Sequence, residues 1–312
     1  MPSALEQLPA FGTAIMDVIQ PTGNIFVPLV AANASAIHAV PKTTHAYGYY
    51  PRQELDMYQA SSPHAPVLVF LYGGGLTGGA KTIPFHTGGI IYANLGAWFA
   101  TRGYTTLVVD YRLVNSELGG HDAVYPSGGE DVSQALKWTR RQEWGKSADL
   151  FVMGSSAGGV HAATFMFAPQ FTEARAEVRL AGAILLAAPY DFSGTTEARK
   201  PVLQTYYGDE VDAHCPLGLL TALSGSTKNR ADALVPPTMV VTAQLDPEDE
   251  ILNPAREFVH QWRGQWGGDG LKVRCVEGHN HISPPLALMS GDEEAESWAV
   301  EVRDWMEKVR KT

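Results

Sequence analysis

Pro66-Val67-Leu68-Val69-Phe70-Leu71-Tyr72 is an unbroken apolar run, and strand-like stretches of this kind recur along the chain at Thr105–Arg112, Leu150–Met153, Ala181–Ala188, Thr238–Ala243 and Leu271–Val276. A strand with one wet face alternates polar and apolar residues. A strand without alternation is buried on both faces, as in parallel sheets covered by helices. Helical patterns separate the runs. Ile91–Arg102 is closed by Gly103, and Glu130–Glu143 carries Val132, Ala135, Leu136 and Trp138 on one face. Pro254–Trp262 and Glu293–Lys308 follow. This alternation implies an α/β fold with a mostly parallel central sheet and helices on both faces. Gln53–Tyr58 alternates and reads as a half-buried strand, whereas residues 1–50 hold no firm period. Residues 190–236 also break the pattern, at Tyr206-Tyr207-Gly208 and Pro216–Leu220. The expectation is one domain over 1–312, with 1–50 and part of 190–236 as a cap or lid over the site.

The run at 150 empties into Gly154-Ser155-Ser156-Ala157-Gly158-Gly159 and a small-residue helical segment to Phe167. Gly-x-Ser-x-Gly between strand and helix is a turn so tight that only small residues fit its flanks. It holds the serine exposed above the sheet, although glycines alone would also serve an ordinary strand-to-helix turn. A serine hydroxyl needs a base, a carboxylate to orient that base, and donors for the oxyanion. The strand Val240–Ala243 runs out into Gln244-Leu245-Asp246, placing Asp246 just past a strand's C-terminal end, where sites on such sheets collect. Glu248, Asp249 and Glu250 read as a solvated helix start. The next strand ends in Glu277-Gly278-His279-Asn280-His281, and either histidine could be the base; the Gly-x-x-His spacing favours His281. His-x-His also occurs in metal sites, but no further Cys/His/Asp set completes one, and no metal is expected. The glycine loop after Tyr72 and the Ala157 amide are the candidate oxyanion donors.

Gly75-Leu76-Thr77-Gly78-Gly79-Ala80-Lys81-Thr82 nearly matches a phosphate-binding P-loop. Ala80 stands where the second glycine is needed, and Pro84 with Gly88-Gly89 denies the helix whose N-terminus would hold phosphate. A net charge of -10 and a pI near 5.4 argue against nucleic acid or an anionic membrane as partner. Cys215 and Cys275 are too few for a disulfide framework. Met1–Gln20 lacks a basic n-region and a long apolar core. No stretch reads as long and apolar enough to span a membrane, so the expected location is cytoplasmic, without stable membrane association.

With these residues in place, the chain resembles the hormone-sensitive-lipase-like branch of α/β-hydrolase esterases over roughly residues 64–310. Tyr72-Gly73-Gly74-Gly75 corresponds to the family's His-Gly-Gly-Gly, Asp110-Tyr111-Arg112-Leu113 to its Asp-Tyr-Arg-Leu, Gly154–Gly159 to its Gly-Asp-Ser-Ala-Gly-Gly, and Asp246–Glu250 to its acid-bearing segment. The resemblance implies an α/β-hydrolase fold with Ser156 as nucleophile, Asp246 as acid and His281 as base, in the family's chain order. Gly74, Gly75 and Ala157 would donate to the oxyanion, and Tyr72, Ser155 and Leu76 would contact substrate. Tyr72 replaces the motif histidine and is expected to reshape the entrance; Ser155 replaces the usual acidic residue. The implied activity is hydrolysis of small-molecule carboxylic esters of small or medium acyl groups through an acyl-enzyme, with no metal or organic cofactor. The same triad would serve an amide, formamide or lactone, and this fold also serves non-catalytic binding modules. An exposed apolar cap would suit either a lipid-like substrate or the face of a homodimer.

Overall fold

The structure, a computed structural model, describes residues 3–83, 87–115, 123–225 and 227–311. Pro84, invoked above against a P-loop, lies outside them. The apolar runs form the sheet: β1 (Lys42–Ala46), β2 (Glu54–Tyr58), β3 (Val67–Leu71), β4 (Thr105–Val109), β5 (Leu150–Ser155), β6 (Leu180–Leu186), β7 (Thr238–Leu245) and β8 (Leu271–Asn280). Their spatial order is β1-β2-β4-β3-β5-β6-β7-β8. β3, β4 and β5 are buried at every residue, as their lack of alternation requires, while β1 at one edge is mostly exposed. β1–β2 and β2–β4 pair antiparallel, and every other neighbouring pair is parallel. The chain steps from β3 outward to β4 and then crosses back to β5, so the strand order reverses between β3 and β5. Ligand sites on open α/β sheets form in the crevice outside the strand ends at such a reversal. Leu71 of β3 is level with Gly154 of β5, so the loops leaving the two strands face each other.

Two helices differ from expectation. Ser127–Arg141 begins three residues before Glu130 because Gly128 and Gly129 lie inside its first turn. A Cβ on Gly128 would stand 1.8 Å from His161 Nδ1, and one on Gly129 2.7 Å from Phe171 and Thr164, so these glycines serve close packing. The second difference is in residues 1–50. They hold a 3-10 helix, Ala4–Phe11, and an 18-residue α-helix, Ile15–Ala32, which contains Pro21 and Pro28. That helix has a mean hydropathy of 1.3 and is long and apolar enough to cross a membrane by length and composition, which corrects the expectation that no stretch is. It buries Val18, Phe26 and Val30 and leaves Met16 76% and Ile19 42% exposed. The N-terminal segment is tied to the far end of the chain, since the Ser3 hydroxyl and the Ala4 amide donate to Asp292 at 3.0 and 2.6 Å.

Candidate active site

β5 delivers Ser155 buried and stops; Ser156 follows with φ 51° and ψ -121°, and the helix Ala157–Phe167 begins at the next residue. A positive φ is strained for a residue with a side chain and is held only by its surroundings. Those surroundings are tight. A Cβ on Gly154 would lie 2.4 Å from the Gly158 carbonyl oxygen, and one on Gly158 2.2 Å from that of Leu71. Both flanking positions of the turn therefore admit only glycine.

Three side chains from three strand ends meet above this turn. Ser156 Oγ lies 2.9 Å from His281 Nε2, and His281 Nδ1 lies 2.7 Å from Asp246 Oδ1. The other carboxylate oxygen of Asp246 accepts from the Ala243 amide at 2.7 Å. Because Asp246 accepts at both oxygens, Nδ1 carries a proton and Nε2 is free to accept from the serine hydroxyl. Asp246 and His281 are buried, at 2% and 4% exposure, so water competes little for these bonds. The arrangement can take a proton from Ser156 and return it to another group at the same place. His279 stands apart: its Nδ1 bonds to Ser283 Oγ at 2.8 Å, and burial lowers its pKa to about 4.

The glycine loop faces the serine from β3. A Cβ on Gly73 would come within 2.9 Å of Ser156 Cβ, and Gly74 and Gly75 take φ of 145° and 62°. Among the described residues the amides of Gly74, Gly75 and Ala157 donate to no acceptor, leaving three unengaged N–H groups in the loop and the turn that meet at Ser156.

Beneath the loop, the structure corrects the expectation for Tyr72. It is fully buried, stacked between Tyr92 and Tyr111, and lines neither cavity at the serine. Its hydroxyl donates to Asp110 at 2.6 Å and accepts from Arg52 at 2.7 Å. Burial first, and then the Asp110 charge, raise its pKa well above the usual phenol value, so it remains a donor. Arg52 also donates to the Gly79 and Tyr111 carbonyls, and Asp110 accepts from the Lys81 amide. Tyr72 thus clamps the loop from below rather than shaping the entrance. Lys81, the lysine of the near-P-loop, is turned to Glu54 and Asp110 at 3.2 and 3.6 Å. Burial opposes its charge, but these two carboxylates outweigh that and raise its pKa.

Two cavities open at Ser156. A cleft of about 20 Å³ is walled by Leu76, Ala157, Val160 and Phe192, with Asp191 and Glu250 also in its lining. A chamber of about 610 Å³ is walled by Ser155, His281, Leu286 and Tyr92 and, from the N-terminal helix, Ile15 and Ile19. Arg199 touches both. Leu76 borders the cleft and Ser155 the chamber, whereas the sequence assigns no role to Arg52 or Arg199 and no helix to Ile15–Ala32. Arg52 has no local signal, because its partners are 20 to 59 residues away along the chain. Among the described residues no group of three His, Cys, Asp or Glu side chains is arranged to hold a metal.

The family model for BD-FAE matches residues 55–210, half of the chain, including the glycine loop and the serine turn. The chain belongs to the BD-FAE family. This is an esterase family, and the protein is a carboxylesterase-type hydrolase. Solved structures of the same α/β-hydrolase fold cover nearly all of it. Carboxyl esterase 2 from the mycorrhizal fungus Tuber melanosporum is 16% identical, with a TM-score of 0.64 over 90% of this chain and 98% of that one. An esterase from Pyrobaculum calidifontis is 20% identical, at 0.63 over 96% of both chains. Brefeldin A esterase, a bacterial homologue of human hormone-sensitive lipase, is 18% identical, at 0.61 over 100% of this chain and 94% of that one. At these identities the likeness establishes the fold. No curated protein matches the chain.

Proposed function

We propose that this BD-FAE member hydrolyses carboxylic esters of small or medium acyl groups through an acyl-enzyme on Ser156. The observation that carries the reading is the unbroken line from Asp246 through His281 to Ser156 Oγ. His281 takes the serine proton as Oγ attacks the acyl carbonyl, and Asp246 holds the imidazole tautomer. The amides of Gly74, Gly75 and Ala157 receive the oxyanion. His281 then returns the proton to the departing alcohol, and water entering from the same side releases the acid.

Because His281 must reach the leaving oxygen, the leaving group occupies the chamber that His281 borders, and the acyl group occupies the cleft. A cleft of about 20 Å³ supports a short acyl chain, since about 10–15 Å³ on this measure holds one water. The chain acts as one α/β-hydrolase domain whose cap combines the N-terminal segment with part of 190–236. This assignment is supported by Ile15 and Ile19 on one side of the chamber and Ala198, Arg199 and Val202 on the other. The enzyme works on soluble small molecules in the cytoplasm.

The test is release of p-nitrophenol from p-nitrophenyl acetate and butyrate. Ser156→Ala should lose on the order of 10⁴- to 10⁶-fold in turnover. An undiminished rate in that variant would overturn the mechanism. Paired ester and amide substrates with one acyl group then define the bond preferred.

A further inference from the structure

Ile15 and Arg199 line both cavities and are used by no step of the proposed reaction, and of the two Arg199 carries a charge. It ends the short 3-10 turn Glu197–Arg199, just before the helix Lys200–Tyr207, and is half-buried. Its guanidinium turns its forked end toward the oxyanion loop, with both terminal nitrogens 3.0 Å and the central carbon 3.3 Å from where a Cβ on Gly75 would be. It makes no side-chain hydrogen bond or ion pair among the described residues. Of the acids nearby, Glu197 pairs with Lys200 and Asp191 accepts from the Ser193 amide and hydroxyl, while Glu250 shares the cleft lining without bonding to Arg199. Among the described residues lining the chamber, Arg199 alone carries a fixed charge, and its neighbours are mainly aliphatic. An arginine fork presents parallel N–H donors matched to a carboxylate or phosphate, and lining it with apolar walls strengthens such a bond.

The geometry points to an anion-recognition site. We propose that, given the triad reading above, the substrate is a short-chain acyl ester whose bulky, mainly apolar leaving group carries a carboxylate or phosphate bound by Arg199. The charge distribution selects the side. Asp191 and Glu250 line the cleft and repel an anion on the acyl part, whereas the described residues lining the chamber include no acid. The net charge of -10 repels anions from the surface at large, so a guanidinium that bonds to none of the described residues and faces the acid-free part of the chamber lining defines where an anionic group settles.

The experiment compares 3-(4-acetoxyphenyl)propanoate with its methyl ester, and 4-acetoxyphenyl phosphate with its neutral dimethyl ester, on the wild type and Arg199→Gln. In the wild type the matching anion should raise kcat/KM by about tenfold or more over its neutral partner, mainly through KM. The preference should shrink as ionic strength rises and fall to about one in Arg199→Gln. Which of the two pairs shows it distinguishes carboxylate from phosphate. Calorimetric binding of the freed phenols, charged and neutral, reads the same preference without turnover. A protein that binds the charged phenol selectively but hydrolyses neither acetate keeps the anion site and loses the triad reading. Equal binding of charged and neutral phenols, or a preference unmoved in Arg199→Gln, would overturn the proposal. So would an equal drop in kcat for both members of a pair, which would assign Arg199 to the oxyanion.

Discussion

Two buried aspartates sit just past strand ends on opposite sides of the reversal, Asp246 after β7 and Asp110 after β4, and they head two different networks. Asp246 bonds to His281, whose far nitrogen reaches Ser156 at the floor of a cavity. Asp110 bonds to the Tyr72 hydroxyl and the Lys81 amide and faces the Arg52 guanidinium at 3.6 Å, and the further bonds of that network end on the Gly79 and Tyr111 carbonyls and on Glu54. The two carboxylates are alike in type, depth and position on the sheet. The difference lies at the far end of the chain of bonds. One network ends in a lone pair open to substrate and can do chemistry; the other closes on backbone carbonyls and Glu54 and fixes the shape of the glycine loop.

The comparison breaks most sharply at its heads. Asp246→Asn should lower kcat on the order of 10⁴-fold while the melting temperature stays near that of the wild type, because the geometry survives and the tautomer does not. Asp110→Asn should do the reverse. Leaving Arg52 and Lys81 buried without their shared carboxylate should cost about 3–5 kcal/mol of stability, seen in chemical denaturation, with a smaller loss of activity as the loop relaxes. An Asp110 variant that is dead but fully stable would erase the distinction.

The histidines sharpen it on a smaller scale. His161 and His279 are buried like His281 but line neither cavity at Ser156, and burial holds their pKa values at about 3 and about 4. Both stay neutral in the folded protein while the unfolded chain takes up protons below about pH 6.5. Their contribution to stability is therefore complete above about pH 6.5 and is lost as pH falls toward the folded values. The slope is on the order of 1 kcal/mol per pH unit for each ring. Denaturation midpoints between pH 7 and 4.5 should show this fall, and His279→Gln should make it shallower. The smallest effect belongs to Tyr72→Phe. Arg52 and Asp110 already stand at 3.6 Å and can close on each other, so the loss should be about 1 kcal/mol, with a modest change in kcat. A loss as large as that of Asp110→Asn would show that the phenol, not the charge, holds the clamp.

How far each part could be read from sequence follows the range of the forces involved. β3, β4 and β5 are legible because continuous burial writes itself into every residue of a strand. Ser156, Asp246 and His281, which the structure brings together, are legible because each follows a strand with a distinctive turn. The helix Ile15–Ala32 is not, because Pro21, Gly23 and Pro28 speak against it locally while Phe26 and Val30 are held by packing from elsewhere. Gly278 misleads in the same way: it reads as the end of β8, yet the strand continues to Asn280 and so carries His279 and Asn280 into the core. Tyr72 reads as an entrance residue only while Arg52 and Asp110 are unseen, since nothing near it in the chain reveals a buried acid and base waiting for its hydroxyl.

One wall of the chamber comes from the helix at 15–32, whereas the serine, acid and base come from residues 156–281. The stretch between, through β1, crosses the outer edge of the sheet. Genetic exchange at that edge would import a new chamber wall in a single crossover and leave the proton path untouched. The conditions on such an exchange are specific: the incoming segment must still present a hydroxyl and an amide to Asp292, as Ser3 and Ala4 do, accept from Asn280 as Thr22 does, and fill the core where Phe26 and Val30 sit. That chamber wall is separate in sequence from the proton path, yet it is tied back to the strand that runs into His281, through Thr22 and Asn280.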